Sequence, residues 1–136
     1  MSASAPAICL NMIVRNEAHV VHEVLDSVAP FIDSWVIVDT GSDDGTQDLI
    51  RSHMDGLGIP GTLHERRWRN FGHNRSEAIT LARGHGDYIW VMDADDLLIG
   101  TPDFTDLSAD VYHSTVQRQI ANDQAVVARV DNRGRF

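Results

Sequence analysis

The sequence predicts an α/β fold in which a mainly parallel sheet carries helices on both faces. Short apolar runs of strand length alternate with segments of helical periodicity, and turns rich in glycine and aspartate separate them. The chain has 136 residues, of which 43% are hydrophobic, so it is long enough for one domain with its own core. In parallel sheets of this kind ligands bind outside the carboxyl ends of the strands, so functional residues are expected there.

The first strand and helix are read from residues 7–30. Residues 7–14, AICLNMIV, form a short apolar run that predicts a strand buried on both faces. Apolar residues then recur at steps of three and four, which is helical spacing, at Val20, Val21, Val24, Leu25 and Val28. The pattern predicts a helix that begins at Glu17 and ends before Pro30.

The middle of the chain repeats this order. Residues 34–38, SWVIV, predict a second strand, and the turn formers DTGSDDGT after it predict the start of a helix before Leu49. Three helix-breaking residues then end this helix, namely Gly56, Gly58 and Pro60. A short strand is expected at residues 62–64, and a third helix over residues 72–83.

The clearest strand pattern is residues 87–92, DYIWVM, which runs directly into Asp93-Ala94-Asp95-Asp96. Two further strands are expected at residues 111–117 and 125–130. The acidic tetrapeptide therefore follows the carboxyl end of a strand that is predicted to be buried.

Composition limits the partners of the chain. Its 20 acidic and 11 basic residues give a net charge of −9, which disfavours nucleic acid as a partner. Basic residues cluster at residues 65–70 and at Arg75, so a small phosphorylated ligand is still compatible with the sequence. Cys9 is the single cysteine, which excludes an intrachain disulfide and fits a reducing cytoplasm. No basic flank of a secretory signal and no apolar run of membrane-spanning length is present, so a cytoplasmic location is expected.

The acidic tetrapeptide is the main chemical signal. Asp93, Asp95 and Asp96 bring three carboxylates together, which is unfavourable unless a cation or hydrogen-bond donors neutralise them. Oxygen ligands of this kind suit Mn²⁺ or Mg²⁺, which can bridge to a diphosphate. The alternative is a solvated acidic turn or a helix cap, and the position after a buried strand favours the metal site.

The loop VDTGSDDGT can seat a base or a ribose. Asp39 is expected at the end of the second strand, and Gly41 and Ser42 follow it in the turn. The alternative is an ordinary turn without a ligand. A calcium-binding EF-hand is excluded because Asp44 stands where that loop needs glycine and Ile50 where it needs glutamate.

The predicted third helix carries one further candidate. Arg75 can contact a diphosphate or a base through its guanidinium, although it can equally be an exposed helix residue. Trp68, Phe71 and His73 lie nearby and can form a lid or stacking surface, although aromatic residues near helices more often belong to the core. The chain has no GxSxG, Walker or GxGxxG motif, which argues against serine acyl transfer, P-loop hydrolysis and dinucleotide binding.

Three blocks in order, NMIVRNE, WVIVDTGSDDGT and NRSEAITLARGHGDYIWVMDADD, resemble the family two inverting glycosyltransferases of GT-A fold. The resemblance covers Ile8 to about Leu98. It implies a nucleotide-sugar-binding domain with a core at residues 7–100, and residues 101–136 as the start of an acceptor-side region. The implied nucleotide-sugar site contains Ile13, Val14, Arg15, Glu17, Asp39, Gly41, Ser42, Arg75, Asp93 and Ala94. The implied metal site uses Asp95 as a direct ligand, with Asp93 near the ribose and the metal-bound waters and Asp96 beside the metal or the sugar.

The resemblance implies metal-dependent transfer of a sugar, most often from a UDP-sugar, to a hydroxyl of a glycan, lipid or protein acceptor. The resemblance also implies a role in cell-surface polysaccharide, lipopolysaccharide core or protein glycosylation. Families of this kind carry the acceptor-side base well beyond the acidic motif, so the sequence indicates truncation at the C-terminus and we assign no catalytic base. Two alternatives stay open: a nucleotide-sugar-binding module without turnover, and a nucleotidyltransferase. The segment VRNEAHV argues against the latter, which usually has a glycine-rich basic loop there.

Overall fold

The computed structural model describes residues 7–92, 94, 111–117 and 122–129. In this part of the chain, strands β1 to β6 span Ile8–Val14, Ser34–Asp39, Gly61–Glu65, Tyr88–Val91, Val111–Gln117 and Asn122–Arg129. Helices α1 to α3 span Val21–Val28, Thr46–Leu57 and Phe71–Ala82, and a short 3₁₀ helix at Ala29–Phe31 follows α1. Strands and helices alternate up to β4, as the sequence predicts.

The described strands form one sheet in the order β3-β2-β1-β4-β6-β5. β1 pairs in parallel with β2 and β4, and β2 pairs in parallel with β3. β6 runs antiparallel to both β4 and β5. The predicted α/β class with a mainly parallel sheet is therefore confirmed, and β1 lies at its centre.

Helices cover both faces of the parallel part, and the alternation of side chains along β1 explains how. Leu10 and Met12 face a large apolar cluster that also contains Val24, Leu25 and Ile50 of α1 and α2. The opposite face is packed by α3 in a second cluster formed by Cys9, Val36, Ile79, Ala82 and Ile89. Among the described residues, no helix has the length and the apolar run needed to cross a membrane.

A buried asparagine joins the sheet to α3. Asn11 is 0% exposed at the centre of β1, where the sequence otherwise reads as apolar. Its Nδ2 donates to the carbonyl of Val36 at 3.0 Å and to the carbonyl of Ala78 at 3.1 Å. These bonds offset the cost of burying the amide nitrogen and fix α3 against β1 and β2, whereas Oδ1 has no hydrogen-bond partner among the described residues.

The first helix begins four residues later than the sequence predicts. α1 starts at Val21 instead of Glu17, because the backbone of residues 16–18 is hydrogen-bonded to the loop after β2. Asn16 adopts a left-handed conformation with φ +52°, which is incompatible with a helix continuing directly from β1. The apolar periodicity is correct from Val21 onward, but it carries no information on these contacts.

The other boundaries differ from the prediction by a few residues. β2 extends to Asp39, α3 begins at Phe71, and β6 begins at Asn122 instead of residue 125. α2 ends at Leu57, and its C-cap residue Gly58 has a left-handed φ of +73° and donates its N–H to the carbonyls of Met54 and Asp55. This glycine cap is the stop that the sequence predicts.

Replacement of glycine by alanine is expected to change the stability of the fold in opposite directions at two positions. A Cβ on Gly61 would lie 2.3 Å from the ring of Trp35, whereas a Cβ on Gly56, inside α2, would meet no atom within 4 Å. We expect Gly61→Ala to destabilise the fold by about 1–3 kcal/mol through overpacking. Gly56→Ala should stabilise it by about 0.5–1 kcal/mol because alanine favours the helix. Urea unfolding of both variants measures the two effects, and equal signs would contradict the packing of Trp35 on β3.

Candidate functional site

A cavity of about 350 Å³ lies where β1 and β2 end. The segment that leads into α3 and the first turns of that helix close its other side. It is lined by Ile13, Val14, Arg15, Glu17, Thr40, Trp68, Phe71 and Arg75. The cavity therefore occupies the carboxyl edge of the parallel sheet, where ligands of such folds bind.

Strand pairing explains why the end of β1 forms this wall. β1 pairs with β4 only as far as Asn11, opposite Val91, but it pairs with β2 as far as Val14, opposite Asp39. Thr40 then fixes the two strand ends to each other. Its N–H and its hydroxyl donate to the carbonyl of Val14, at 3.0 Å and 3.3 Å.

Asp39, which directly precedes the cavity residue Thr40, is fully buried, with 0% exposure. Its Oδ1 accepts three hydrogen bonds, from the N–H of Gly41 at 2.9 Å, the N–H of Ser42 at 2.8 Å and Nε2 of Gln47 at 3.0 Å. Its Oδ2 is also buried and has no hydrogen-bond partner among the described residues. A buried carboxylate oxygen without a partner is unfavourable, so this atom is suited to accept a hydrogen bond from a ligand.

A clasp of side chain to backbone hydrogen bonds joins the loops after β1 and β2. The N–H of Asn16 donates to Oγ of Ser42 at 2.8 Å, and Oδ1 of Asn16 accepts from the N–H of Asp43 at 2.9 Å. The N–H of Glu17 donates to Oγ1 of Thr46 at 3.0 Å. These bonds hold the cavity residues on either side of Asn16 in one conformation.

Two ionisable groups near these loops have shifted pKa values. The hydroxyl of Thr46 donates to the carboxylate of Asp44 and lowers the pKa of that exposed side chain below its usual value. Burial is the main cause that lowers the pKa of His64 in β3, and the neighbouring charge of Arg66 adds to it. The environment therefore favours the ionised form of Asp44 and the neutral form of His64.

The clasp predicts a graded response at Asn16. Asn16→Ala removes the acceptor and places alanine at φ +52°, so we expect a destabilisation of about 1–2 kcal/mol. Asn16→Gly removes the same acceptor but tolerates the backbone conformation, so its loss should be smaller. Urea unfolding of the two variants separates the contribution of the hydrogen bond from that of the left-handed backbone. An equal loss of stability in both variants would show that the backbone conformation contributes nothing.

The remaining wall is aromatic and cationic. Trp68 is 44% exposed and Phe71 is 62% exposed, so both rings are available to a ligand. The guanidinium carbon of Arg75 lies 5.4 Å from the centre of the Phe71 ring, a cation–π distance. The cavity thus combines a stacking surface with a positive charge beside the end of β1.

The sequence-derived candidates divide into three groups. The cavity is lined by Ile13, Val14, Arg15, Glu17 and Arg75. Asp39, Gly41 and Ser42 are not among its lining residues. Asp39 directly precedes the lining residue Thr40, and the N–H groups of Gly41 and Ser42 donate to its Oδ1. Asp93, Asp95 and Asp96 lie outside the described residues, whereas Ala94 between them is 3% exposed and packs in the cluster beneath α1 and α2. No group of three or more metal-ligating side chains occurs within the described ranges.

Several residues that form or support the site were not predicted from the sequence. Thr40 lines the cavity, Gln47 supports Asp39, and Asn16 clasps the loops. The only sequence signal for them is position, since Thr40 directly follows a strand end and Asn is the residue most tolerant of φ > 0 after glycine. Trp68 and Phe71 belong to the cavity, whereas His73 is not among its lining residues and donates its N–H to Oδ1 of Asn70 at the start of α3.

Comparison with solved structures shows the same fold. A mannosyltransferase from Pyrobaculum calidifontis in complex with GDP-Man and Mn²⁺ is 27% identical, with a TM-score of 0.60 over 69% of this chain and 29% of that one. TarS of S. aureus in complex with UDP is 20% identical, with a TM-score of 0.57 over 67% of this chain and 28% of that one. The second likeness supports the fold alone.

The sequence comparisons agree with this. A TPR repeat-containing protein of Synechococcus elongatus is 35% identical over 99 residues, which are 73% of this chain and 23% of that protein. The chain thus spans less than a third of the length of these relatives. The model of glycosyl transferase family 2 matches residues 9–101, which contain both strand-end loops, the cavity and the acidic motif. This chain belongs to glycosyl transferase family 2.

Proposed function

We propose that this domain binds a nucleoside-diphosphate sugar together with Mn²⁺ or Mg²⁺ and supplies the donor half of a metal-dependent glycosyltransferase. The cavity beside Asp39 is the observation that carries this proposal. An aromatic wall and a guanidinium line it at the carboxyl edge of a parallel sheet, and the buried acceptor atom of Asp39 belongs to the residue directly before its lining residue Thr40. A base, a ribose and a diphosphate require these three kinds of contact.

The described residues have distinct roles in this proposal. Oδ2 of Asp39 accepts a hydrogen bond from an N–H of the base or from a ribose hydroxyl, since it is buried without a partner among them. The end of β1, from Ile13 to Arg15, forms the wall along the base. Arg75 offers its positive charge to the diphosphate. This local charge allows an anionic ligand to bind although the chain as a whole is acidic.

The proposed metal ligands are Asp95, assisted by Asp93 and Asp96. Carboxylate oxygens suit Mn²⁺ and Mg²⁺, and the buried Ala94 anchors the motif at the end of β4. Such a metal neutralises the charge that develops on the departing diphosphate. Asp39 and Arg75, in the same proposal, orient the nucleotide so that its diphosphate faces the motif.

The proposed donor is a UDP-sugar and the proposed acceptor a hydroxyl of a glycan, lipid or protein in cell-surface polysaccharide synthesis. The complex of the mannosyltransferase with GDP-Man and Mn²⁺ supports a nucleotide-sugar donor, so GDP is compared with UDP in the experiments below. The single buried Cys9 fits a reducing compartment such as the cytoplasm.

A donor-hydrolysis assay tests the transferase function. The chain is incubated with UDP-glucose or GDP-mannose and Mn²⁺, and release of the nucleoside diphosphate is measured. We expect release from one donor, with water as the acceptor. Metal-dependent binding without release would identify a donor-binding module instead of an enzyme. Release of pyrophosphate from a nucleoside triphosphate and a sugar phosphate would contradict the proposal and identify a nucleotidyltransferase.

A further inference from the structure

We infer that Asn74 is a positioning residue of the donor site, because it holds Trp68 in the cavity wall as the ring on which the base stacks. This inference rests on the proposed function, since it assigns a base to the cavity. Asn74 lies in the first turn of α3 and is 0% exposed, although it is polar. A buried amide in a helix that packs on a sheet needs a specific set of partners.

Those partners lie on both sides of Trp68. Oδ1 of Asn74 accepts from the N–H of Arg69 at 2.8 Å, and its Nδ2 donates to the carbonyl of Arg67 at 3.1 Å. The N–H of Asn74 also donates to the carbonyl of Asn70 at 3.0 Å. Both peptide groups that flank Trp68 are thereby fixed to the start of α3.

The chemistry of this contact requires an asparagine. Its side chain presents one acceptor and one donor in a single plane, so it can pair with an N–H and a C=O two residues apart, as a strand neighbour would. Aspartate keeps the acceptor for Arg69 but turns an oxygen toward the carbonyl of Arg67. Alanine leaves both peptide groups without these bonds, and glutamine is one methylene too long for this geometry.

The consequence for the cavity follows from the exposure of Trp68. An indole that is 44% exposed is only partly covered by its neighbours, so its orientation also depends on the backbone that carries it. Arg67 and Arg69 are exposed, and the cavity is lined by the residue between them. Because the ring is already oriented, a base can stack on it without the entropic cost of ordering the loop.

Tryptophan fluorescence tests the positioning without any nucleotide. Trp35 and Trp90 are 4% and 0% exposed, so a neutral quencher such as acrylamide reports mainly on Trp68. We expect Asn74→Ala to increase the quenching relative to the wild type, with Asn74→Asp intermediate. Ser27→Ala is the control, because it removes a side chain to backbone hydrogen bond within α1, on the opposite face of the sheet from α3, and should leave quenching unchanged.

A double-mutant cycle tests the functional part. We expect Asn74→Ala to raise the nucleotide Kd about tenfold, as the loss of one aromatic stacking contact would. In a Trp68→Ala background the same substitution should change Kd less than about twofold, because the ring through which Asn74 acts is gone. An equal increase in both backgrounds, or quenching that Asn74→Ala leaves unchanged, would overturn the inference. A wild-type chain that binds no nucleotide would refute the proposed function, whereas quenching would still decide whether Asn74 positions Trp68.

Discussion

The Asp95→Ala variant is expected to lose the metal-dependent part of nucleotide binding while its thermal unfolding stays unchanged. Loss of an outer partner of a metal ligand alone costs about 10–100-fold in metal affinity, so loss of a direct ligand should cost more. Stability is expected to be maintained because the substitution removes one of three neighbouring carboxylates in DADD, which repel each other without a cation. Titration of UDP or GDP with and without Mn²⁺ measures the effect.

The matched control for this prediction is Asp55→Ala. Asp55 is an exposed carboxylate in the last turn of α2, and it lies outside the residues that line the donor cavity. Its loss should leave both the affinity and the metal dependence as they are. Retained Mn²⁺ dependence in a folded Asp95→Ala variant would contradict the assignment of this residue as the metal ligand.

Substitutions of Asp39 are expected to separate folding from ligand binding. Asp39→Ala removes the acceptor of three hydrogen bonds from Gly41, Ser42 and Gln47. Because bonds to a charged group contribute about 1.5–3 kcal/mol each, the loss of all three should destabilise the fold by about 4 kcal/mol or more. Asp39→Asn keeps an oxygen for these donors, so it should lose clearly less stability than Asp39→Ala. Urea unfolding measures both values.

The conservative variant should nevertheless bind nucleotide poorly. Asp39→Asn replaces Oδ2 with an NH₂ group. An acceptor that has no hydrogen-bond partner among the described residues thereby becomes a donor. A donor facing an N–H of the base or a ribose hydroxyl that needs an acceptor should raise Kd at least about tenfold. Asp87→Asn is the control, because that carboxylate accepts from the N–H of Ala7 at the opposite edge of the sheet. Unchanged affinity in Asp39→Asn would remove Asp39 from the site.

The fold was predictable because it depends on local patterns. The apolar spacing of Val24, Leu25 and Val28 marks the buried face of α1, and the run around Ile89 and Trp90 marks β4. Chain order then requires parallel pairing of β1 with β2 and β4. The delayed start of α1 was not predictable, because it depends on bonds between Asn16 and a loop 26 residues away.

The site was predictable where it depends on strand ends. The carboxyl ends of parallel strands meet at one edge, so the end of β1 was expected beside a ligand site, and Ile13, Val14 and Arg15 line the cavity. The roles of the polar residues around them follow from tertiary hydrogen bonds, which have no periodicity. Gly41 and Ser42 were predicted as ligand contacts, but their N–H groups donate to Asp39. Asn74 has no sequence signal at all, because its two side-chain partners are backbone groups.

Calorimetric titration of UDP, GDP and UDP-glucose into the purified chain, first with Mn²⁺ and then with EDTA, tests the donor-site proposal most directly. We expect one nucleotide to bind with a stoichiometry of one, and we expect EDTA to abolish or strongly weaken that binding. Such a result also identifies the base that the cavity beside Asp39 selects. Absence of binding by a chain that unfolds cooperatively, or binding that EDTA leaves unchanged, would contradict the proposed metal-dependent donor site.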